Sequence, residues 1–110
     1  MFSASSPFIL VFVTTSSEAE ATQLARQLVH LKLAACVSLT PMRSIYRWQG
    51  NIQDEAEWQL VIKTTLAHWD QLKAEIQRLH SYEVPEIIAV PIVAGSESYL
   101  TWLSSQVDPA

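Results

Sequence analysis

The sequence is poor in glycine and has one cysteine. Gly50 and Gly95 are the only glycines among 110 residues, which excludes a phosphate-binding loop built from glycine amides. The one cysteine, Cys36, excludes an internal disulfide and any Cys-x-x-Cys motif for metal or redox chemistry. Its apolar neighbours in the segment 33–37 predict a packed, unreactive thiol, since no cation directly adjoins it in sequence.

Charge is also scarce, and most of it is negative. The chain has 7 Lys and Arg against 11 Asp and Glu, and its pI is near 5.2. Because the basic residues are scattered, a phosphate-backbone interface is excluded. The apolar run Phe8–Val13 is far shorter than the ~20 residues that cross a bilayer, and no Lys or Arg precedes it as in a signal peptide. We therefore expect a cytoplasmic protein that binds neither nucleic acid nor membrane.

What the chain does have is apolar residues, at 49% of the sequence against 16% charged. The length is that of one domain, which we place over residues 1–110 with a frayed leader at 1–6. A domain this small has difficulty covering so much apolar surface alone, which indicates a subunit interface.

The spacing of the apolar residues predicts a strand, a helix, two strands, a helix, a strand and a short last helix. Ser17 and Glu20 form a capping box at the first helix, Pro41 marks an edge or a bulge in the second strand, and Gly50 supplies a hairpin turn. The predicted ranges are 8–14, 17–32, 34–48, 52–65, 68–80, 87–90 and 96–103. This order predicts an α+β, ferredoxin-like fold (βαββαβ plus a short C-terminal helix) with both main helices on one face of an antiparallel sheet.

The middle hairpin is too long for one compact domain. Two arms of about fifteen residues at ~3.3 Å per residue reach ~50 Å, whereas a domain of this size is about 34 Å across. Further copies of the chain are the simplest cover for the overhanging edges. The alternative is a hairpin bent back at Pro41 and at 53–55, which leaves a monomer. The overhang is predicted to carry Ile45, Tyr46, Trp48, Ile52 and Trp58.

Several ordered segments resemble the CutA divalent-cation-tolerance family. They are Lys32-Leu33-Ala34-Ala35-Cys36-Val37, Ser44-Ile45-Tyr46-Arg47-Trp48-Gln49-Gly50, Leu60-Val61-Ile62-Lys63-Thr64, His80-Ser81-Tyr82-Glu83-Val84-Pro85-Glu86-Ile87 and Tyr99-Leu100-x-Trp102. The resemblance runs from about Ile9 to Leu103. It implies a ferredoxin-like subunit in an interlocked homotrimer, a link to tolerance of metals such as copper, and no established catalysis. We expect such a trimer to resist heat, because unfolding must also separate the chains. The resemblance also implies a likeness to PII-type trimers, which favours a small-molecule sensor as the alternative function.

The copper ligands that the resemblance implies are incomplete here. Bacterial copper-binding members place a cysteine at the position of Val13 and a second histidine at that of Leu79, and proline is common where this chain has Ser81. His80 and Glu83 remain as candidate metal ligands, because imidazole and carboxylate hold copper or zinc. The alternative is a histidine that satisfies helix-end carbonyls, with solvated glutamates. We expect no required cofactor and at most weak binding of Cu²⁺ or another divalent cation.

A cleft between subunits is the other candidate site. We expect a lysine beside a carboxylate and aromatic residues to hold an anionic small molecule there; alternatively, the aromatics seal the trimer and Lys63 pairs with Glu86 or Glu57. The catalytic motifs we sought are absent, so we predict no enzyme, although a perturbed pKa of Glu86 or Lys63 would favour a site shared between chains. The predicted cleft residues are Trp48, Lys63, Tyr82, Glu86 and Trp102.

Overall fold

The computed structural model describes residues 6–109 and has the predicted order of elements. A 3-10 turn, Leu66–His68, precedes the second helix. Residues 1–5 of the predicted leader lie outside the described residues, whereas Ser6 is anchored by a 2.7 Å hydrogen bond from Oγ to the carbonyl oxygen of Ile92. The main elements are β1 (Phe8–Thr15), α1 (Glu18–His30), β2 (Cys36–Trp48), β3 (Asn51–Thr65), α2 (Trp69–Leu79), β4 (Ile87–Pro91) and α3 (Glu97–Ser105).

The four strands form one antiparallel sheet in the order β2-β3-β1-β4. This confirms the ferredoxin-like prediction. β1 is continuously apolar from Phe8 to Val13, as expected of a central strand. Its residues Ile9, Val11 and Val13 lie in one buried cluster with Leu28 of α1 and Ile76 of α2, so both helices cover the same face of the sheet.

Helix α1 begins as predicted but its cap is only half of a capping box. Ser17 accepts a 3.1 Å hydrogen bond from the amide of Glu20, which satisfies one of the free amides of the first turn. The carboxylate of Glu20 turns instead to Ser81, on the linker between α2 and β4. Glu20, which the sequence predicts to complete the capping box, therefore connects α1 to the linker that follows α2.

The β2–β3 hairpin runs without a bulge from Cys36 opposite Lys63 to its turn. Pro41 lies on the edge strand β2, as predicted, and Gly50 takes φ 82° at the turn. β1 reaches only as far as Trp58, so the outer half of the hairpin extends past the rest of the sheet. Trp58 itself packs against the core rather than on this overhang, which corrects its predicted place.

The sheet face opposite α1 and α2 is covered at one end by α3. There Leu103 of α3 lies in a small apolar cluster beside Phe8 and Ile92. Residues that sit opposite one another in an antiparallel pair share a face, so β1 and β4 place Phe12 and Ile88 together on this side. We call this the open face; its apolar members are Leu10, Phe12, Val61, Ile88 and Val90.

Candidate functional site

The linker 80–86 is held against the sheet by His80. Its Nε2 donates a 2.7 Å hydrogen bond to the carbonyl oxygen of Thr14, at the end of β1. Its Nδ1 accepts a 3.0 Å hydrogen bond from the amide of Tyr82. The side chain is fully buried, and these two bonds fix the neutral tautomer that carries its proton on Nε2.

Glu20 holds the same linker from the other side. Its carboxylate accepts hydrogen bonds of 2.9 Å from both the amide and the hydroxyl of Ser81. Burial acts to raise the pKa of Glu20, but the hydrogen bonds that its carboxylate accepts, foremost the two from Ser81, outweigh it, so this pKa lies below its ordinary value. The carboxylate is therefore an ionised anchor at neutral pH.

Tyr82 joins the linker to the long hairpin. Its hydroxyl donates a 2.6 Å hydrogen bond to Oε2 of Glu57 on β3. Glu57 is only 5% exposed, an unusual degree of burial for a carboxylate. Burial, followed by the hydrogen bond to Glu57, raises the pKa of Tyr82 well above its ordinary value, so the phenol stays protonated and remains a donor.

Between this linker and the hairpin lies a cleft of about 750 Å³. Its lining combines three glutamates with three aromatic residues, and none of the described lining residues is Lys, Arg or His. Burial, and then the charge of Glu57, raises the pKa of Glu86 above its ordinary value, because two like charges oppose ionisation in a confined space. The lining residues are Glu57, Glu83, Glu86, Tyr46, Trp48, Tyr82, Thr14, Ser44, Ile45, Ser81 and Val84.

The structure brings together only part of the predicted cleft. Trp48, Tyr82 and Glu86 line it, whereas Lys63 and Trp102 do not. Lys63 reaches neither predicted glutamate; its Nζ lies 3.1 Å from Oγ of Ser38. Trp102 packs instead beside Tyr99 of its own helix, with ring centroids 5.5 Å apart. The cleft within one subunit is therefore acidic, and the predicted anion site between subunits stays a prediction.

Tyr46 and Glu57 also line this cleft, although the sequence predicts Tyr46 only as part of the overhang and Glu57 only as a possible partner of Lys63. The turn at Gly50 pairs Trp48 with Asn51 and so fixes the register of the whole hairpin. That register puts Tyr46 opposite Gln53 and hence on the same face as Glu57. The turn was thus the signal that could have found them.

Cys36 is half-buried and has a neighbour that the sequence did not reveal. It pairs across the strands with Lys63, whose Nζ lies 3.7 Å from its Sγ. A cation does therefore adjoin this thiol in space, although none adjoins it in sequence.

The predicted metal ligands do not converge within one subunit. Both ring nitrogens of His80 already bond to backbone groups, so metal binding there requires breaking at least one of these bonds. Glu83 is exposed on the rim of the cleft. Over residues 6–109, no three His, Cys, Asp or Glu side chains are close enough to hold one ion. Metal binding at His80 and Glu83 stays a prediction.

None of the described helices is long and apolar enough to span a bilayer. The sequence profile of the family described as CutA1 divalent ion tolerance protein matches residues 9–106. The divalent-cation tolerance protein CutA of Thermus thermophilus is 45% identical over 95 residues, which cover 86% of this chain and 92% of that one.

Two further relatives come from other settings. The chloroplastic CutA of Arabidopsis thaliana is 41% identical over 100 residues, covering 90% of this chain and 55% of the plant protein. The solved structure of the periplasmic divalent cation tolerance protein CutA of Archaeoglobus fulgidus superposes with a TM-score of 0.90 at 33% identity, over 92% of this chain and 99% of that one.

Proposed function

This chain belongs to the CutA1 divalent ion tolerance family, and from that premise we propose that it acts as a non-catalytic homotrimer in tolerance of divalent cations. The observation that carries the proposal is the open face. Ile88 is 53% exposed there and Val90 38%, and contiguous apolar surface of this kind marks an interface in a soluble protein.

The hairpin supports the same assembly. Its strand edges beyond Trp58 have no neighbour among the described residues except each other, and Ile45 and Ile52 are 67% and 70% exposed on it. Such an edge pairs with another chain unless it is covered. A closed ring of copies covers every edge at once, which an open chain of copies does not do.

Sedimentation tests the trimer. We expect a species of about three times the chain mass of 12.4 kDa at micromolar concentration. Ile88→Lys places a charge on the open face and should dissociate it, whereas Val29→Lys, at a similarly exposed position on α1, should not. A folded wild-type monomer, with a native circular dichroism spectrum, would overturn the proposal.

The chemistry of the cleft supports a binding role rather than catalysis. Its described lining contains carboxylates, hydroxyls and aromatic rings but no Cys, His or Lys, so it offers no thiol, imidazole or amine for nucleophilic catalysis. The raised pKa of Glu86 is the feature that the enzyme alternative predicts, yet burial and the charge of Glu57 account for it. If an activity screen detected catalysis and Glu86→Gln abolished it, the enzyme alternative would be favoured instead.

Contact with the divalent cation itself is proposed to be weak. Glu83 is solvent-exposed, and His80 has no free ring nitrogen. Titration calorimetry with Cu²⁺ and Zn²⁺ should give small heats that Glu83→Gln reduces and His80→Ala leaves unchanged. A tight site that His80→Ala abolishes would show that the ring turns out of the fold to bind metal.

The second candidate function is a small-molecule sensor of the PII-like kind. The observation that favours it is the cleft, because about 750 Å³ lies within the usual range of small-molecule sites. A thermal-shift screen with nucleotides, carboxylates and amines tests it, and no stabilising compound at millimolar concentration would count against it.

A cytoplasmic location stays a prediction, since relatives are named as chloroplastic and periplasmic.

A further inference from the structure

We infer that Lys63 of one copy supplies the counter-charge for the buried carboxylate of Glu57 in the next copy. The inference rests on the homotrimer proposed above and names a contact that completes the cleft between its subunits. Its starting point is a pair of opposite charges that share one face of the sheet and have no ionic partner within a single chain.

Glu57 lacks a cation in its own chain. Its Oε2 accepts the hydrogen bond of Tyr82, and none of the ion pairs among residues 6–109 includes it. Only 5% of the residue is exposed, and a carboxylate buried to this extent normally has a cationic partner. Glu86 lines the same cleft, where burial and the charge of Glu57 raise its pKa. The acidic site is therefore incomplete within one copy.

Lys63 has the opposite shortage. Its Nζ lies 3.1 Å from Oγ of Ser38 and 3.7 Å from Sγ of Cys36, and no carboxylate in the described part of the chain forms an ion pair with it. Lys63 lies opposite Leu10 of β1 and so belongs to the open face, which the proposed assembly removes from water. An ammonium group that loses its water without gaining an anion is costly.

The two charges are too far apart to meet within one chain. Alternate residues of a strand point to the same face, so Glu57 and Lys63, six residues apart on β3, share the open face. At ~3.3 Å per residue they are separated by roughly 20 Å. In a closed ring each copy meets its neighbours through two different patches of its surface. Contact between these two side chains is therefore available only between copies.

The strand register selects Lys63 over the other basic residues. Arg43 and Arg47 alternate with Tyr46, which shares the face of Glu57, and therefore point to the other face of the hairpin. Arg43 is in addition held by Asp54 at 2.6 Å. The remaining Lys and Arg residues lie outside the strands. Over residues 6–109, Lys63 is thus the one basic residue that the register places on the open face.

The aromatic lining of the cleft suits an incoming lysine. Tyr46, Trp48 and Tyr82 lie beside the glutamates. Ring faces attract an ammonium group and cover the apolar stem of a lysine side chain. They also exclude water, which strengthens the attraction between opposite charges. The completed cleft takes its carboxylates and rings from one chain and its ammonium group from the neighbouring one.

Sedimentation of charge-reversal variants of the full chain tests the inference. Lys63→Glu and Glu57→Lys each bring like charges together, and each should dissociate the trimer at micromolar concentration. The double variant that combines both changes restores opposite charges and should restore the trimer. The control combines Lys63→Glu with Glu18→Lys, which lies on α1; it has the same net charge as the double variant and should stay dissociated. Circular dichroism of each variant checks that it folds.

Milder variants cover the case in which a charge reversal does not fold. Lys63→Met and Glu57→Gln keep the approximate size of each side chain. Each should weaken assembly by about ten-fold or more, measured as the protein concentration at which half of the trimer dissociates in a fixed concentration of urea. The two effects should not multiply in the double variant, since a single contact is lost in all three proteins. Effects that multiply would contradict a direct pair.

The outcomes separate the ion pair from the assembly. A trimer that both reversals leave intact would overturn the pair alone, whereas a wild-type monomer would overturn the assembly and the pair with it. Equal rescue by Glu18→Lys would show that net charge, and not this contact, controls assembly. Rescue of Lys63→Glu by Glu86→Lys but not by Glu57→Lys would overturn the assignment of Glu57 and make Glu86 the partner.

Discussion

Thr64 donates a 2.7 Å hydrogen bond from Oγ1 to the carbonyl oxygen of Leu33, and its own side chain is fully buried. The bond ties β3 to the connection between α1 and β2. Thr64→Val keeps the shape but leaves a buried carbonyl without its donor, which should cost about 1–3 kcal/mol of unfolding free energy. Urea unfolding at one protein concentration measures it. The exposed Thr40→Val on β2 should change stability by under ~0.5 kcal/mol, and equal effects would contradict the role of the bond.

The hydrogen bond from Tyr82 to Glu57 gives a second prediction. Tyr82→Phe removes the only described donor to a carboxylate that is 5% exposed. Hydrogen bonds to charged groups contribute about 1.5–3 kcal/mol, and we expect a loss in that range. Tyr99→Phe, on the exposed side of α3, is the matched control. If Tyr82→Phe were as stable as the wild type, the linker would not depend on this contact.

The Glu20 anchor predicts a dependence of stability on pH. The pKa of Glu20 in the folded chain lies below its ordinary value of 4.5, so the unfolded chain binds this proton more readily. The stabilisation is fully present above the ordinary value and is lost as pH falls through the folded-state pKa. Glu20→Gln should therefore destabilise the protein by roughly 1 kcal/mol near pH 7.

The difference between wild type and Glu20→Gln should shrink steadily below pH 4.5, the ordinary value for this carboxyl. Urea midpoints measured from pH 7 to pH 3 give the difference directly. Other carboxylates titrate in both proteins, so their contributions to stability cancel in this difference. A constant difference over this range would mean that Glu20 acts through packing and not through its charge.

The hairpin turn is set by backbone conformation alone. Gly50 has φ 82°, and a Cβ placed there would meet no atom within 4 Å. Gly50→Ala should therefore cost only the left-handed backbone penalty, about 1–2 kcal/mol. Gln49, with φ 51°, is the counterpart: Gln49→Asn should stabilise, because asparagine tolerates this region and Asn-Gly favours this turn. Thermal melts compare the two variants. A change of melting temperature in the same direction for both would contradict this explanation.

Assembly predicts how heat stability depends on concentration. A trimer that unfolds to monomers should melt above ~65 °C, the upper end for mesophile domains, and its melting temperature should rise with protein concentration. Calorimetry over a hundred-fold range of concentration checks both. Ile88→Lys should remove the concentration dependence along with the trimer. A wild-type melting temperature that is low and constant would contradict the assembly.

The order of the elements could be predicted because its signals are local. The apolar run of β1, the cap at Ser17 and the turn at Gly50 each depend on a few adjacent residues. The site could be predicted only in part. The hydrogen bonds from Ser81 to Glu20 join residues 61 apart, and the burial of Glu57 depends on where Tyr82 comes to lie. Such contacts follow from tertiary register, which periodicity does not specify.

The topology also bears on how the chain is made by the ribosome. β1 precedes both of its partners, since β3 and β4 flank it in the sheet. During synthesis β1 emerges well before Trp58, the first residue of β3 to pair with it. Until then, α1 is the only one of the elements packing against β1 that has already been synthesised, since β2 is not adjacent to β1 in the sheet. The nascent chain thus passes through a stage with an unpaired apolar strand. At that stage it is most prone to aggregate and depends most on chaperones.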